Sequence, residues 1–172
     1  IKRNGEFTVN IALIQDQVPV MGVVFAPDLC ELYLAAPGWG SRKVELNCES
    51  DKSFQLPNLL EMIKLPIKEN NRPFTVVGSR SHASEETTAF VEELKKDHPD
   101  LSYASKGSSL KLCLIAEGKA DIYPRLAPTM EWDTAAAHAV VKAAGKNVYR
   151  ADDGLELEYN KENLLNPFFV VK

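Results

Sequence analysis

The stretch APTMEWDTAAAHAVVKAAG, residues 127 to 145, decides the fold. After a proline-containing turn, its apolar residues recur at the spacing of one helix face. The residues on that face are Asp133, Ala137, Val140, Val141 and Ala144. Because the apolar side chains there are small, they predict a buried helix that packs closely against its neighbours. Gly145 is the residue type that commonly ends such a helix.

Asp133 is the charged residue at the N-terminal end of this apolar face. A carboxylate in the first turn can cap the helix or complement its dipole, which stabilises a helix by about 1 kcal/mol. A carboxylate held rigidly at the end of an element is also a suitable ligand for Mg²⁺. The helix pattern alone leaves both interpretations open.

The first part of the chain has the pattern of antiparallel strands. Residues 7–14 and 20–27 are rich in β-forming side chains and are separated by the polar stretch QDQVP, which predicts a hairpin. Residues 29–40 indicate a further strand that ends in a Gly/Pro turn. Residues 41–72 are more polar, which predicts irregular structure, with KENNRP at 68–73 as a linker.

From residue 74 the pattern changes to alternating strands and helices. Strands are predicted at 74–80, 101–107 and 121–126, and helices at 84–98, 108–120 and 131–145. Glu85 and Glu86 open the first of these helices, where acidic side chains favour the dipole. This order predicts an α/β fold with a largely parallel sheet.

Composition excludes several classes of protein. The 172 residues are 45% hydrophobic and 26% charged, which is typical of a compact globular protein. The net charge of -4 provides no general attraction to nucleic acid or anionic lipid. No apolar run approaches the roughly 18 residues of a membrane span. Cys30, Cys48 and Cys113 lack CxxC spacing, so we expect reduced thiols in a cytoplasmic protein.

Four more residues at the ends of predicted elements could bind an anion. Ser108 lies at a strand-to-helix turn, where free N–H groups favour negative charge, and Lys111 follows one turn later. A capping serine and a solvated lysine would give the same pattern. Arg125 ends an apolar strand, as a phosphate clamp or as a surface residue. His82 also follows a strand, where it could contact a ligand or occupy a surface loop.

Residues 107–145, from GSSLKLCLIAEGKADIYPR to EWDTAAAHAVVKAAG, resemble the C-terminal half of the 3'(2'),5'-bisphosphate nucleotidases. These enzymes belong to the inositol monophosphatase superfamily of metal-dependent, lithium-sensitive phosphatases. The resemblance continues in VVGSRSH at 76–82, NGEFTVNIALI at 4–14 and YNKENLLNPFFVV at 159–171. It therefore covers most of the chain, and the YPR…PTMEWDTAA string is its most specific part.

The resemblance implies a fold, a reaction and a set of site residues. The fold is a layered α-β-α-β-α sugar-phosphatase-like architecture, with 1–66 finishing a first mixed-sheet region, 67–172 forming a second α/β region, and the metal site between them. The reaction is removal of the 3'-phosphate from adenosine 3',5'-bisphosphate to give AMP, with the sulfated nucleotide as a further substrate. Asp133 would be a catalytic Mg²⁺ ligand near the substrate. The nucleotide contacts would be His82, Ser108, Lys111 and Arg125.

The chain departs from the family pattern in ways that bear on activity. Ala127 and Ala137 replace glycines that the family pattern leads us to expect. The family's Glu-Glu pair and its Asp-Pro-Leu-Asp-Gly-Thr motif, which supply most metal ligands, are absent from these residues. We expect the second motif immediately before Ile1. Because Asp133 alone cannot hold the catalytic ions, the chain by itself is predicted to be inactive.

Two other functions remain possible at this level. An inositol-phosphate or sugar-phosphate phosphatase of the same superfamily would fit much of the pattern, but Lys111 and Arg125 favour a ligand with two phosphates. A non-catalytic adenine-nucleotide binding domain is the alternative outside enzymes. For a bisphosphate nucleotidase we expect a cytoplasmic location, including the inner face of a membrane.

Overall fold

The computed structural model describes residues 4–48, 57–67, 71–78 and 84–172. In these ranges a five-stranded antiparallel sheet follows chain order. Its strands are β1 (Val9–Gln15), β2 (Val18–Ala26), β3 (Glu31–Ala36), β4 (Gly40–Glu45) and β5 (Ile63–Leu65). Asp16 and Gln17 between β1 and β2 have φ of 50° and 65°, as a tight two-residue hairpin turn requires. The predicted hairpin and the antiparallel pairing are confirmed.

The expectation of irregular structure over residues 41–72 is wrong for β4 and β5. The sequence of β4, GSRKVE, looks polar, yet its Lys43 is only 3% exposed. The Lys43 ammonium lies 2.6 Å from Glu31 Oε1 and 3.4 Å from Glu117 Oε2. Because these partners compensate the buried charge, a polar segment forms an inner strand of the sheet.

The linker predicted at 68–73 is described only from residue 71 onward. Within it, Arg72 donates from Nε to the carbonyl of Gly118 at 2.9 Å. Its Nη2 also donates to Asp121 Oδ1 at 2.8 Å. The end of this segment is therefore tied to the loop that follows the second helix of the chain.

One face of the five-stranded sheet is covered by the helix over Glu131–Ala143, α3 in chain order. Its predicted buried face is confirmed, with Ala137, Val140 and Val141 completely inaccessible to solvent. The close contact is clearest at Gly22 of β2, where an added Cβ would lie 2.1 Å from the carbonyl oxygen of Ala136. Small residues on both elements are thus required for the helix to sit on the sheet.

The second half of the chain contains the remaining elements. They are β6 (Thr75–Gly78), α1 (Glu85–Asp97), β7 (Ser102–Ser105), α2 (Leu110–Glu117), β8 (Tyr123–Arg125), β9 (Val148–Arg150) and β10 (Phe169–Val171). The predicted alternation of strands and helices is confirmed. Fewer strands pair in parallel than expected. Parallel pairing joins β6 to β7 and forms a bridge between Val76 and Ile122, whereas β8, β10 and β9 pair antiparallel.

The largest hydrophobic cluster contains residues from both halves of the chain. Val24 and Leu65 lie on one side of the boundary predicted at residue 66, and Val77 and Ile115 lie on the other. The two halves therefore pack around a shared core. The division into 1–66 and 67–172 stays a prediction about organisation.

The expectation of reduced thiols is wrong for two of the three cysteines. A disulfide joins Cys30 and Cys48, whose Cα atoms are 5.9 Å apart. The antiparallel pairing of Glu31 with Glu45 brings the segments beside β3 and β4 together, which sequence spacing does not reveal. Cys113 is a free, buried thiol.

No helix in the described ranges has the length and apolar character needed to cross a membrane. The expected cytoplasmic location stays a prediction.

Candidate active site

The starts of α2 and α3 and the strand β8 surround an open cavity of about 270 Å³. Four of the five predicted site residues line it, namely Ser108, Lys111, Arg125 and Asp133. The other lining residues are Ser109, Leu112, Tyr123, Pro128, Thr129, Thr134 and Phe169. The structure therefore brings together residues that are up to 25 positions apart in the sequence. The fifth, His82, lies outside the described residues.

The turn before α2 presents serine hydroxyls at one wall of the cavity. Ser108 has a φ of 47°, a left-handed conformation that is uncommon for a residue with a side chain. The next residue, Ser109, is 3% exposed and lies at the N-cap position of α2. Its hydroxyl oxygen is 3.1 Å from Asn10 Oδ1 and 3.2 Å from the carbonyl oxygen of Asp133. Ser109 therefore fixes the start of α2 against β1 and α3.

Lys111 is a buried cation on the first turn of α2. The residue is 8% exposed, and its ammonium donates to the carbonyls of Ser108 at 3.0 Å and Lys106 at 3.2 Å. Burial lowers the pKa of Lys111 to about 8, and the positive charge of Arg125 adds to this effect. The Glu6 carboxylate opposes this lowering in part, and a negative ligand in the cavity would add further countercharge.

Arg125 ends β8 beside Lys111. Its Nη2 donates to the carbonyl of Pro128 at 3.1 Å. Its Nε is buried and has no hydrogen-bond partner among the described residues. The guanidinium group as a whole is partly exposed at the cavity, and such a group is suited to bind a phosphate or carboxylate oxygen.

Asp133 lies in the first turn of α3, with its side chain exposed at the cavity. Its Oδ2 accepts a hydrogen bond from the backbone N–H of Met130 at 2.9 Å, so the carboxylate does cap the helix. The other oxygen, Oδ1, takes no part in that bond. Capping and metal binding are therefore compatible at this residue.

Whether a metal ion can bind in this cavity depends on the type and number of ligand atoms that its residues offer. Carboxylate oxygens suit Mg²⁺, which needs several oxygen ligands. In the part of the chain that the structure describes, no three His, Cys, Asp or Glu side chains form a metal-binding group. Asp133 therefore fits as one ligand, and the described residues do not complete a Mg²⁺ site.

A sequence model for the inositol monophosphatase family matches residues 1–167. The chain belongs to the inositol monophosphatase family. The mixed α/β fold agrees with solved structures of this family. A crystal structure of CysQ from Bacteroides thetaiotaomicron superimposes with a TM-score of 0.91 and 50% identity, covering 99% of this chain and 64% of that one. Inositol monophosphatase-II from Staphylococcus aureus has a TM-score of 0.68 at 18% identity, over 96% and 54% of the two chains, which shows the fold alone.

Curated family members are similar over nearly the whole chain. The 3'(2'),5'-bisphosphate nucleotidase CysQ of Salmonella typhimurium is 45% identical over 172 residues, and that of Escherichia coli strain K12 is 44% identical. These matches cover 99% of this chain and 62% of each relative. The chain thus spans less than two thirds of the length of the family members it matches.

Sequence reasoning missed several residues of the cavity wall in this family member. Tyr123 could have been found, because residues two apart on a strand share a face and Arg125 was already a candidate. Its ring centroid lies 5.7 Å from the ammonium of Lys111. Phe169 comes from β10, and no motif connects that strand with the cavity. Thr129 and Thr134 lie in the PTMEWDTAA string that carries the resemblance, but the sequence analysis took only Asp133 of that string as a site residue.

Proposed function

We propose that this chain carries the nucleotide-binding part of a Mg²⁺-dependent 3'(2'),5'-bisphosphate nucleotidase. The reaction would remove the 3'-phosphate from adenosine 3',5'-bisphosphate and release AMP and phosphate, with the sulfated nucleotide as a further substrate. The observation that carries the proposal is the pairing of the Lys111 ammonium and the Arg125 guanidinium in one cavity. Identity of 44–45% with relatives named as such nucleotidases supports it.

The charge of the cavity favours a ligand with two phosphates. Lys111 is 8% exposed, and the Nε of Arg125 is buried without a described partner, so neither cation is fully compensated by the protein. Asp133 is the one carboxylate among the lining residues. A neutral polyol with a single phosphate would compensate less of this positive charge than a nucleotide bisphosphate does.

The residues have separate parts in this proposal. Lys111 and Arg125 neutralise phosphate oxygens, and the Ser108 hydroxyl donates a hydrogen bond to them. Asp133 would give one oxygen to Mg²⁺, while its other oxygen caps α3 through the Met130 N–H. When bound, the metal would polarise the phosphoryl group and activate water. His82 is proposed as a further nucleotide contact from the segment that precedes α1.

The proposal also predicts what the chain cannot do alone. One carboxylate does not form a complete Mg²⁺ site, so the 172-residue chain is expected to bind the nucleotide without hydrolysing it. Hydrolysis would require acidic ligands beyond those that the described residues offer.

The test is a calorimetric titration of the chain at pH 7 with adenosine 3',5'-bisphosphate, AMP and inositol 1-phosphate. We expect the bisphosphate to bind at least about tenfold more tightly than either monophosphate, because it alone engages both cations. Lys111→Met should weaken its binding by about tenfold or more. Lys96→Met, which removes an exposed lysine of α1, is the matched control and should bind like the wild type.

Each alternative predicts another result. Tighter binding of inositol 1-phosphate would favour an inositol-phosphate phosphatase. A non-catalytic adenine-nucleotide binding domain would bind AMP as tightly as the bisphosphate and would be insensitive to Lys111→Met. Either result would contradict the proposed substrate.

A further inference from the structure

The segment of residues 4–8, which we call the strap, lies directly against the turn that carries Ser108. At Gly107 an added Cβ would be 2.8 Å from Glu6 Cβ and 2.9 Å from the Glu6 carbonyl oxygen. The Glu6 carboxylate lies 3.8 Å from the ammonium of Lys106 and accepts from Asn4 Nδ2 at 2.8 Å. The strap and the turn are therefore in van der Waals and polar contact, although about 100 residues separate them.

Thr8 makes the closest polar contact between the strap and the cavity wall. Its Oγ1 lies 2.5 Å from Ser108 Oγ and 3.3 Å from Ser109 Oγ. The single hydroxyl hydrogen of Ser109 has two acceptors within reach, Asn10 Oδ1 and the Asp133 carbonyl, so it is not needed for a bond to Thr8. The Thr8 hydrogen can therefore go to either serine oxygen, and the 2.5 Å distance to Ser108 Oγ favours Ser108 over Ser109 at 3.3 Å.

The backbone conformation of Ser108 requires stabilising contacts from its neighbours. A left-handed conformation costs free energy for a residue other than glycine, and it persists only where neighbours stabilise it. Here the Ser108 carbonyl accepts from the Lys111 ammonium, and its hydroxyl meets Thr8. The turn is thus fixed from the α2 side and from the strap side.

We propose that Thr8 is a positioning residue, which donates its hydroxyl hydrogen to Ser108 so that the hydrogen of Ser108 points to a phosphate oxygen of the ligand. A hydroxyl has one hydrogen, and a phosphate oxygen only accepts at neutral pH. If Ser108 gave its hydrogen to Thr8, it would present lone pairs to the anion and repel it. If Thr8 donates to Ser108 and Ser108 donates to the phosphate, each oxygen receives a hydrogen and the repulsion does not arise. This inference rests on the proposed anion-binding function of the cavity.

The test is a double-mutant cycle on the whole 172-residue chain, with binding measured by calorimetry at pH 7. The probes are adenosine 3',5'-bisphosphate and inorganic phosphate. Thr8→Val should weaken binding of the nucleotide about fivefold, and Ser108→Ala about tenfold. In the Ser108→Ala background, Thr8→Val should have no further effect, because Thr8 acts through the Ser108 hydroxyl. Thr8→Ser, which keeps a donor, should restore affinity to within about twofold.

The controls separate positioning from a general structural role. Thr88→Val removes an exposed hydroxyl on α1 and should bind like the wild type. If the strap only holds the fold, Thr8→Val will lower affinity equally with and without Ser108, and Thr8→Ser will not rescue it. Equal losses in both backgrounds, or no loss at all, would overturn the inference.

The two probes also separate this inference from the proposed function. If the chain binds phosphate but not the nucleotide, the proposed substrate is wrong, and the cycle measured with phosphate still decides the role of Thr8. If the chain binds neither probe, the cavity is not an anion site and both proposals fail.

Discussion

Two groups of buried polar side chains lie against α3, and they differ in how completely their polar atoms are hydrogen-bonded. Around His138, in the middle of the helix, both ring nitrogens have partners, Tyr159 Oη at 2.9 Å and Asn147 Oδ1 at 2.7 Å. Around the start of α3, the cavity holds a Lys111 ammonium whose hydrogen bonds within the described residues go to the carbonyls of Lys106 and Ser108, and an Arg125 Nε without a described partner. Buried polar groups whose hydrogen bonds are all made within the protein stabilise the fold. Polar groups that lack a partner are typical of sites where a bound ligand supplies the missing hydrogen bond.

The hydrogen bonds of the first group define the state of His138. Asn147 Oδ1 accepts from the backbone N–H of Val148, and its Nδ2 donates to Glu156, which fixes the orientation of the amide. The Nε2 of His138 must therefore carry a hydrogen and donate to Asn147. In a neutral ring Nδ1 then accepts from the Tyr159 hydroxyl at 2.9 Å, which is shorter than the contact of that hydroxyl with Thr134 Oγ1 at 3.3 Å. Burial lowers the pKa of His138 to about 4, in agreement with this neutral state.

Removing His138 from the fully hydrogen-bonded group should have the largest effect on stability. His138→Ala leaves a cavity in the core and removes one hydrogen-bond partner each from the Tyr159 hydroxyl and the Asn147 oxygen. We expect the free energy of unfolding to fall by about 4 kcal/mol, measured by urea denaturation. A loss below about 1 kcal/mol would contradict the assignment of this group as structural.

Lowering the pH should also destabilise the protein through His138, by slightly less than the substitution does. In the unfolded chain His138 takes up a proton near its ordinary pKa of 6.5, but in the folded protein only near 4. As the pH falls from 6.5 to 4, the unfolded state therefore binds more protons and stability decreases, by roughly 3 kcal/mol at most. The measurement is the free energy of unfolding against pH.

A matched variant isolates this contribution. His138→Gln cannot take up the proton, so its stability should change less with pH than that of the wild type over this window. Burial opposes ionisation of Glu156, but hydrogen bonds from Lys142 and Asn147 lower the pKa of its carboxyl. Stability from Glu156 is therefore lost below pH 4.5 in both proteins. Identical pH slopes for wild type and variant would contradict the role of His138.

Removing the charge of Lys111 from the second group should increase the stability of the protein, whereas changes to His138 decrease it. Because the pKa of Lys111 falls from 10.5 to about 8 on folding, the charged lysine destabilises the folded state at neutral pH. Lys111→Met should therefore raise the free energy of unfolding at pH 7 by about 1 kcal/mol while it weakens nucleotide binding. Thermal unfolding of both proteins without ligand provides the measurement. A less stable variant would mean that Lys111 serves the fold.

The sequence predicts the unsatisfied group better than its surroundings. Ser108, Lys111, Arg125 and Asp133 were candidates because each lies near the end of a predicted element, and the family resemblance selected the ligand-binding interpretation that the pattern alone left open. The strand β4 was missed because Lys43 looks like a surface residue until Glu31 and Glu117 are placed beside it. The Cys30–Cys48 disulfide was missed because it depends on the register between β3 and β4.

The pKa of Lys111, followed by NMR of its side chain with and without adenosine 3',5'-bisphosphate, tests the central claim most directly. In the free chain we expect a pKa of about 8. In the complex, phosphate oxygens beside the ammonium should raise that pKa by about one unit or more. A pKa that stays near 8 when the nucleotide is saturating would contradict the claim that this cavity binds the phosphates.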